Sequence, residues 1–325
     1  MRPPLLAVDA VTIGRPRALP VVEGVSFSIR PGERLALVGE SGSGKTMSAL
    51  AVIGLLPPGF GVVSGAIRFD GVAVDTAGPA MRARRGKDVA IVFQDPMTSL
   101  NPVMRIGDQI VEALTAHDPG IARESARRRA AELLDAVRIV RARDRLDAYP
   151  HEFSGGMRQR VTIAIAIANS PRLLIADEPT TALDVTTQVQ ILALMDELCR
   201  ARGTGLLLIT HDLGLARSIC DRICVLYAGR VMESGPIGRV LARPDHPYTR
   251  ALLRSVPPGD RDVEWLEPIA GEPPRAQEAA ARCRFAGRCE SAFDRCRGEE
   301  PLPVPMGDGA FAACHLLTPP AGPDA

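Results

Sequence analysis

Apolar positions along this chain fall into short runs with two different spacings. Residues 34–38, 89–93 and 173–176 are nearly unbroken apolar runs, as expected of strands buried on both faces. Residues 21–30 partly alternate, with Val25, Phe27 and Ile29 set against Ser26, Ser28 and Arg30, the pattern of a half-buried strand. Further strands are predicted over 5–8, 206–210, 222–227 and 230–234, and a hairpin joins 66–69 to 72–74 across Asp70-Gly71. Helical spacing marks 47–56, 107–137 (broken at the polar 117–120), 155–168, 187–200 and 213–219. Strands alternating with helices predict a largely parallel sheet covered on both faces, and the early hairpins add an antiparallel layer. Residues 57–64 read as a Pro/Gly loop. Past Ser255 the composition shifts: 256–274 read as a linker around the single Trp265, and 318–325 as a frayed end. The expected domains are 1–255, with a helical subdomain at about 107–168, and 256–325.

Between the strand at 34–38 and the helix after it lies Gly39-Glu40-Ser41-Gly42-Ser43-Gly44-Lys45-Thr46. The pattern is G-x-x-x-x-G-K-[ST] in the strand-to-helix context it requires. Its glycines let backbone N–H groups turn inward on an anion, and the helix that follows adds its positive end. Lys45 reaches the outer phosphates and the Thr46 hydroxyl is a Mg²⁺ ligand. The strand at 173–176 runs into Asp177 and Glu178: the first carboxylate suits Mg²⁺, the second a water aimed at a γ-phosphate. A third anion-ready element is Phe153-Ser154-Gly155-Gly156-Met157-Arg158-Gln159-Arg160. Ser154 can cap a helix whose first N–H groups the glycines leave uncovered. A chain with a complete phosphate loop has no use for a second such end, except against the nucleotide of another subunit.

With these motifs the sequence resembles the ATP-binding subunits of ABC transporters. Gln94 in Val-Phe-Gln-Asp-Pro, the acidic loop Ala182-Leu183-Asp184, and His211 in Ile-Thr-His-Asp stand in that family's order, and Met157 replaces a common glutamine. The resemblance implies an α/β fold of the P-loop NTPase (ABC-type) class, with an antiparallel β layer, a helical subdomain and a small C-terminal cysteine-bearing extension. It implies an ATPase that couples ATP hydrolysis to solute translocation, with Gln94 sensing Mg²⁺ and the attacking water. It also implies that Asp184 works across a dimer and His211 contacts the γ-phosphate. The family's aromatic residue for adenine is missing from Val11-Thr12-Ile13-Gly14-Arg15, where the Arg15 guanidinium offers a plane instead. Gln94-Asp95-Pro96-Met97-Thr98-Ser99-Leu100-Asn101-Pro102 and His246-Pro247-Tyr248-Thr249-Arg250-Ala251-Leu252-Leu253 resemble hallmark segments of the peptide and nickel importers. The implied partners are a second ATPase subunit, homologous or identical, two transmembrane permease subunits and, indirectly, a solute-binding protein. Di- and oligopeptides are the implied cargo, with nickel as the alternative, and the implied place is the cytoplasmic face of the cell membrane.

The 325 residues carry 39 Lys and Arg against 38 Asp and Glu, a net charge of +1 that gives no basic stripe for nucleic acid. A soluble ABC ATPase acting on nucleic acid or ribosomes would also commonly bring a second ATPase unit or a long coiled-coil insert, and neither is present. The arginines at 127–129 read as a solvated helix face. No apolar run approaches the ~20 residues that span a bilayer, and the first ten residues lack the parts of an export signal, so a soluble chain is expected. Of seven cysteines, Cys199, Cys220 and Cys224 read as buried small hydrophobes. The other four, Cys283, Cys289, Cys296 and Cys314, crowd the C-terminal region without a C-x-x-C pair. Four thiolates in so small a region can hold either Zn²⁺ or an iron–sulfur cluster, or no metal; the resemblance to dipeptide and oligopeptide importers implies a four-iron–four-sulfur cluster. Arg282, Arg284 and Arg288 are expected to offset a cluster's negative charge.

Overall fold

The computed structural model describes residues 3–181, 183–255, 268–274 and 281–318. Ala182, most of the predicted linker with Trp265, and the expected terminal segment after residue 318 lie outside these residues. In chain order the elements are β1 (Leu6–Gly14), β2 (Val22–Ile29), β3 (Arg34–Val38), α1 (Lys45–Ile53), β4 (Gly61–Phe69), β5 (Val72–Ala73), α2 (Pro79–Arg84) and β6 (Val89–Val92). Then follow α3 (Pro96–Ser99), α4 (Ile106–Thr115), α5 (Arg123–Ala136), α6 (Ala142–Arg145), α7 (Gly155–Ala166), β7 (Leu173–Asp177), α8 (Val185–Arg202) and β8 (Gly205–Thr210). The rest are α9 (Leu213–Ile219), β9 (Arg222–Tyr227), β10 (Arg230–Pro236), α10 (Ile237–Ala242), α11 (Pro247–Arg254), α12 (Asp294–Gly298), β11 (Val304–Gly307) and β12 (Ala310–Ala312). Among the described residues no helix is long and apolar enough to cross a membrane.

The chain packs as two compact units, one of Met1–Leu5, Ile29–Glu33 and Asp75–Leu208, the other of Leu6–Ser28, Arg34–Val74 and Ile209–Ala325. In the first, β6 and β7 pair in parallel from Val89↔Leu173 to Val92↔Ala176, and β8 lies on the other side of β7. The four apolar residues of β7 are fully buried, which is why that stretch is continuously apolar instead of alternating. Around them α4 turns in Ile106, Ile110 and Leu114, and α5 turns in Ala126, Ala130 and Leu134, at helical spacing. Arg128 and Arg129 of α5 keep the solvated face expected of them, and Arg127 is half-buried. Arg127 bonds Asp147 at 3.0 and 3.2 Å, and Arg129 donates to the Ala168 carbonyl past the end of α7, satisfying an orphan acceptor there.

The second unit holds an antiparallel sheet in the order β2-β1-β4-β5, and a run of strands in the order β11-β12-β10-β9-β3 in which β3 and β9 are parallel. Strand β1 runs well beyond the expected 5–8. A bulge between Asp9 and Thr12 moves the buried positions from Leu6 and Val8 to Val11 and Ile13, so simple alternation fails mid-strand. Asp70 and Gly71, at φ 50 and 80, form the tight turn expected between β4 and β5. The Pro/Gly loop is shorter than expected, because β4 begins at Gly61 and pairs it with Gly14. The cysteine-bearing segment joins the sheet through its backbone, β12 pairing with β10 at Glu233↔Ala312 and Ser234↔Phe311. Cys199 in the first unit, and Cys220 and Cys224 in the second, are buried.

Candidate nucleotide site

The second unit carries the phosphate loop and His211. Lys45 opens α1, is 5% exposed, and donates its Nζ hydrogens to the carbonyls of Gly39 at 2.8 Å and Glu40 at 2.9 Å. The lysine thus closes the loop on itself at a helix N-terminus, where backbone N–H groups can cradle an anion. Gly39, Gly42 and Gly44 all take positive φ, at 150, 75 and 100. Ser43 is held through its backbone, its N–H donating to Glu40 O at 3.2 Å and its carbonyl accepting from Gly229 N–H at 3.0 Å. Its hydroxyl is buried without a hydrogen-bond partner among the described residues, which suits a phosphate oxygen. Ser41, Gly42 and Thr46 are exposed, as is His211, which directly follows β8. The Arg15 guanidinium lies 4.5 Å over the Phe60 ring. Sequence reasoning found Arg15 but missed Phe60, because the ring arrives from the far end of a bulged strand pair.

The first unit carries Gln94, Asp177, Glu178, the helix start at residues 154–156, and Asp184. Asp177 ends β7 and is 5% exposed. Glu178 follows at φ 44, a conformation that costs a non-glycine residue about 1–3 kcal/mol and collects at functional sites. Two side chains hold its carboxylate: Thr181 Oγ1 donates to Oε2 at 3.0 Å, and Gln94 Nε2 donates to the same oxygen at 3.3 Å. Gln94 and Glu178, 84 positions apart, are thus brought together; Thr181 is a member that sequence reasoning missed.

Ser154 caps α7 by accepting from Met157 N–H, as its position predicts. Gly156 is glycine for a packing reason, since a Cβ there would stand 2.8 Å from Thr187 Cγ2. Asp184 caps α8, accepting from the backbone N–H of Thr187 at 3.0 Å and its hydroxyl at 2.7 Å. These hydrogen bonds, the backbone one foremost, hold its carboxyl below the usual range. Asp184 and the Ser154 end of α7 are therefore parts of one packed corner.

In the second unit, Cys283, Cys289, Cys296 and Cys314 line one small cavity with His246 and His315. Burial pushes the Cys283 thiol up to about 11 and raises Cys289 and Cys314 as well. Among the described residues, no three His, Cys, Asp or Glu side chains are gathered closely enough to hold a metal ion. Two of the arginines expected to offset cluster charge are engaged elsewhere. Arg284 pairs with Glu23 and the Ala228 carbonyl, and Arg288 pairs with Glu40, since a buried guanidinium needs a carboxylate partner. The cation that does act on Cys289 and Cys314 is Arg250.

Comparison with known proteins gives matches along most of this chain. The family profile described as ABC transporter matches residues 22–181, and that described as oligopeptide/dipeptide transporter, C-terminal region, matches 232–296. The oligopeptide transport ATP-binding protein AppD of Bacillus subtilis is 45% identical over 300 residues, 92% of this chain and 91% of that protein. The dipeptide transport ATP-binding protein DppD of Escherichia coli is 45% identical over 302 residues, 93% of this chain and 92% of that protein. The chain spans only half the length of the oligopeptide transport ATP-binding protein OppD of Mycobacterium tuberculosis, to which it is 48% identical over 311 residues. Among solved structures, cbiO1 of Clostridium perfringens, part of the ABC transporter complex cbiONQ, superimposes with TM-score 0.64 at 27% identity, over 74% of this chain and 91% of that one. A dimeric ATP-binding cassette in a post-hydrolysis state with ADP and Pi does so with TM-score 0.63 at 27% identity, over 71% and 98%. Phosphate loop, acidic strand end, capped helix start and C-terminal region together make this chain a member of the ATP-binding subunits of ABC transporters, in the oligopeptide and dipeptide transporter group.

Proposed function

We propose that this chain hydrolyses ATP to drive peptide import through a membrane permease. The observation that carries the reading is Glu178, held in a left-handed conformation directly after the buried Asp177, with Gln94 and Thr181 fixing one carboxylate oxygen. The loop amides, Lys45 and Ser43 bind the phosphates. Thr46 and Asp177 supply hard oxygen ligands suited to Mg²⁺, which when bound neutralises charge on the phosphates. Glu178 takes a proton from water as its oxygen bonds the γ-phosphorus and the bond to the ADP oxygen breaks; Gln94 keeps the carboxylate aimed, and His211 supports the γ-phosphate. Ser154, Gly155, Gly156 and Asp184 act on the nucleotide of a second ATPase subunit. The dimeric cassette with ADP and Pi supports that reading. Arg15, steadied on Phe60, takes the base.

The relatives' peptide transport role and the C-terminal region support peptides as cargo, and the same proposal takes two permease subunits and a place against the cytoplasmic face of the membrane. The segment after Gln94 is a one-turn helix capped by Asp95, with Met97 and Val103 exposed at 60% and 80%, a surface suited to a permease helix. The four thiols on one cavity match an iron–sulfur cluster in donor type and number, but among the described residues they are not gathered closely enough to hold a metal ion. Glu178→Gln tests the central claim. It should bind ATP and lose about 10²–10⁴-fold in kcat; hydrolysis within a few-fold of wild type refutes the base assignment.

A further inference from the structure

The phosphate loop of this chain is gripped from outside by residues of its C-terminal third. Glu40, its second residue, receives a bidentate ion pair from Arg288, whose Nη1 and Nη2 stand 2.6 and 3.0 Å from the two carboxylate oxygens. The Arg288 side chain is 6% exposed. Its remaining hydrogens go to Tyr227 Oη at 3.2 Å and to the carbonyls of Ile269 and Ala270, so the fork is fixed on every side. The backbone N–H of Glu40 donates to Tyr248 Oη at 3.0 Å. Side chain and backbone of one loop residue are therefore both held by residues more than two hundred positions away.

The His-Pro-Tyr-Thr motif at residues 246–249 exists to present that tyrosine. Glu233, fully buried, accepts from the backbone N–H groups of Asp245 and His246 at 2.9 and 3.1 Å, and His246 Nδ1 accepts from Tyr248 N–H at 2.9 Å. Pro247 begins α11, where its missing N–H is no loss. Tyr248 is fully buried against Tyr227 and Phe285, with ring centroids 4.5 and 5.3 Å away. A second arm runs through Arg284 to the Ala228 carbonyl, and Gly229 N–H then holds Ser43 O at the other end of the loop. Both arginines, and Phe285 between them, lie in the interval Cys283 to Cys289.

We propose that this interval is a brace on the phosphate loop, with Arg288 and Tyr248 as positioning residues that keep the loop's amides converged for phosphate. Neither touches nucleotide. They act by holding Glu40, whose carbonyl is one of the two that bind Lys45. Releasing Glu40 lets the loop leave its binding form, and apparent affinity falls by the fraction of loops that remain competent.

The inference rests on the reading that this loop binds ATP, and the test separates the two. ATP binding and steady-state hydrolysis are measured on the full chain for wild type, Lys45→Ala, Arg288→Ala, Arg288→Lys, Tyr248→Phe, Glu40→Gln and the Glu40→Gln/Arg288→Ala double variant. The brace requires Arg288→Ala to raise Kd and KM for ATP about tenfold, for a competent fraction of about one-tenth, with kcat at saturating ATP within about twofold. Arg288→Lys should recover part of the loss, and Tyr248→Phe, which removes a single acceptor and no volume, should show a smaller rise. In the double variant Arg288→Ala should add nothing to Glu40→Gln, the signature of one shared interaction. The brace is overturned if Arg288→Ala and Tyr248→Phe both keep wild-type Kd, or if the two single effects multiply. Should Arg288→Ala not fold, Arg288→Lys and Tyr248→Phe decide alone. Equal ATP binding by wild type and Lys45→Ala would instead overturn the nucleotide reading beneath it.

Discussion

Two glycines of the phosphate loop should respond to the same substitution by different amounts and for different reasons. At Gly39 an added Cβ would lie 2.0 Å from the Leu226 carbonyl oxygen and 2.9 Å from Ser43 Oγ, with φ at 150. A carbon–oxygen contact settles near ~3.3 Å, so something must move by roughly 1.3 Å. Leu226 cannot give way easily. It sits in β9, fully buried, paired with Val231 of β10 while the preceding Val225 pairs with Val38 of β3. Backbone strain of about 1–3 kcal/mol and overpacking of about 1–3 kcal/mol put Gly39→Ala at roughly 2–6 kcal/mol. At Gly42 φ is 75 and nothing lies within 4 Å of an added Cβ, so only the left-handed conformation is penalised, at about 1–2 kcal/mol. Urea unfolding of the full chain, followed by circular dichroism, reads the difference. With a slope near ~3 kcal/mol/M, Gly39→Ala should lower the midpoint by about 0.7–2 M, and Gly42→Ala by about 0.3–0.7 M. Equal midpoints for the two variants would refute the assignment of Gly39 as a packing glycine and Gly42 as a conformational one.

Gly155→Asp places a carboxylate at the capped start of α7. In an assembled pair it should abolish hydrolysis at the site shared with the partner while ATP affinity at the chain's own Lys45 stays within about threefold of wild type, a difference of about 0.7 kcal/mol; equal loss of both would mean the helix end acts within its own chain. Iron analysis of anaerobically purified protein tests the cluster expected from the sequence: about four irons per chain and absorbance near ~400 nm, both lost in Cys289→Ser, would bear it out. A colourless zinc-containing preparation would make the site structural zinc. Because Arg288 directly precedes Cys289, Cys289→Ser should also weaken ATP binding, by no more than Arg288→Ala does, as titration with ATP would read.

What the sequence disclosed was the chemistry whose parts lie close together along the chain. The phosphate loop, the Asp177-Glu178 strand end and the Ser154 helix cap are each local: a few residues with fixed backbone roles between elements of clear periodicity. Boundaries failed where the period itself broke. Strand β1 reads short because its bulge shifts the buried side by one residue. Pairwise contacts across long separations gave no signal at all, so Phe60 under Arg15 went unseen; Thr181 lies only three residues from Glu178, but a threonine hydroxyl in a turn carries no pattern of its own.

The arginines of the cysteine region show why such contacts escape a sequence reading. Four thiols and three arginines within a short Pro- and Gly-rich stretch suggest a charge balance internal to that stretch, and nearness in sequence makes it the cheapest hypothesis. The fold chooses otherwise because burial changes the price of an unpaired charge. Arg284 and Arg288 are each 6% exposed at the side chain, and a guanidinium taken that far from water requires an anion or several carbonyls within hydrogen-bond distance. Neutral thiols, with Cys283 pushed up to about 11, offer no such anion. Glu23 and Glu40 do, and both come from the first 40 residues. The consequence is that the C-terminal segment, compositionally separate, is electrostatically part of the phosphate loop.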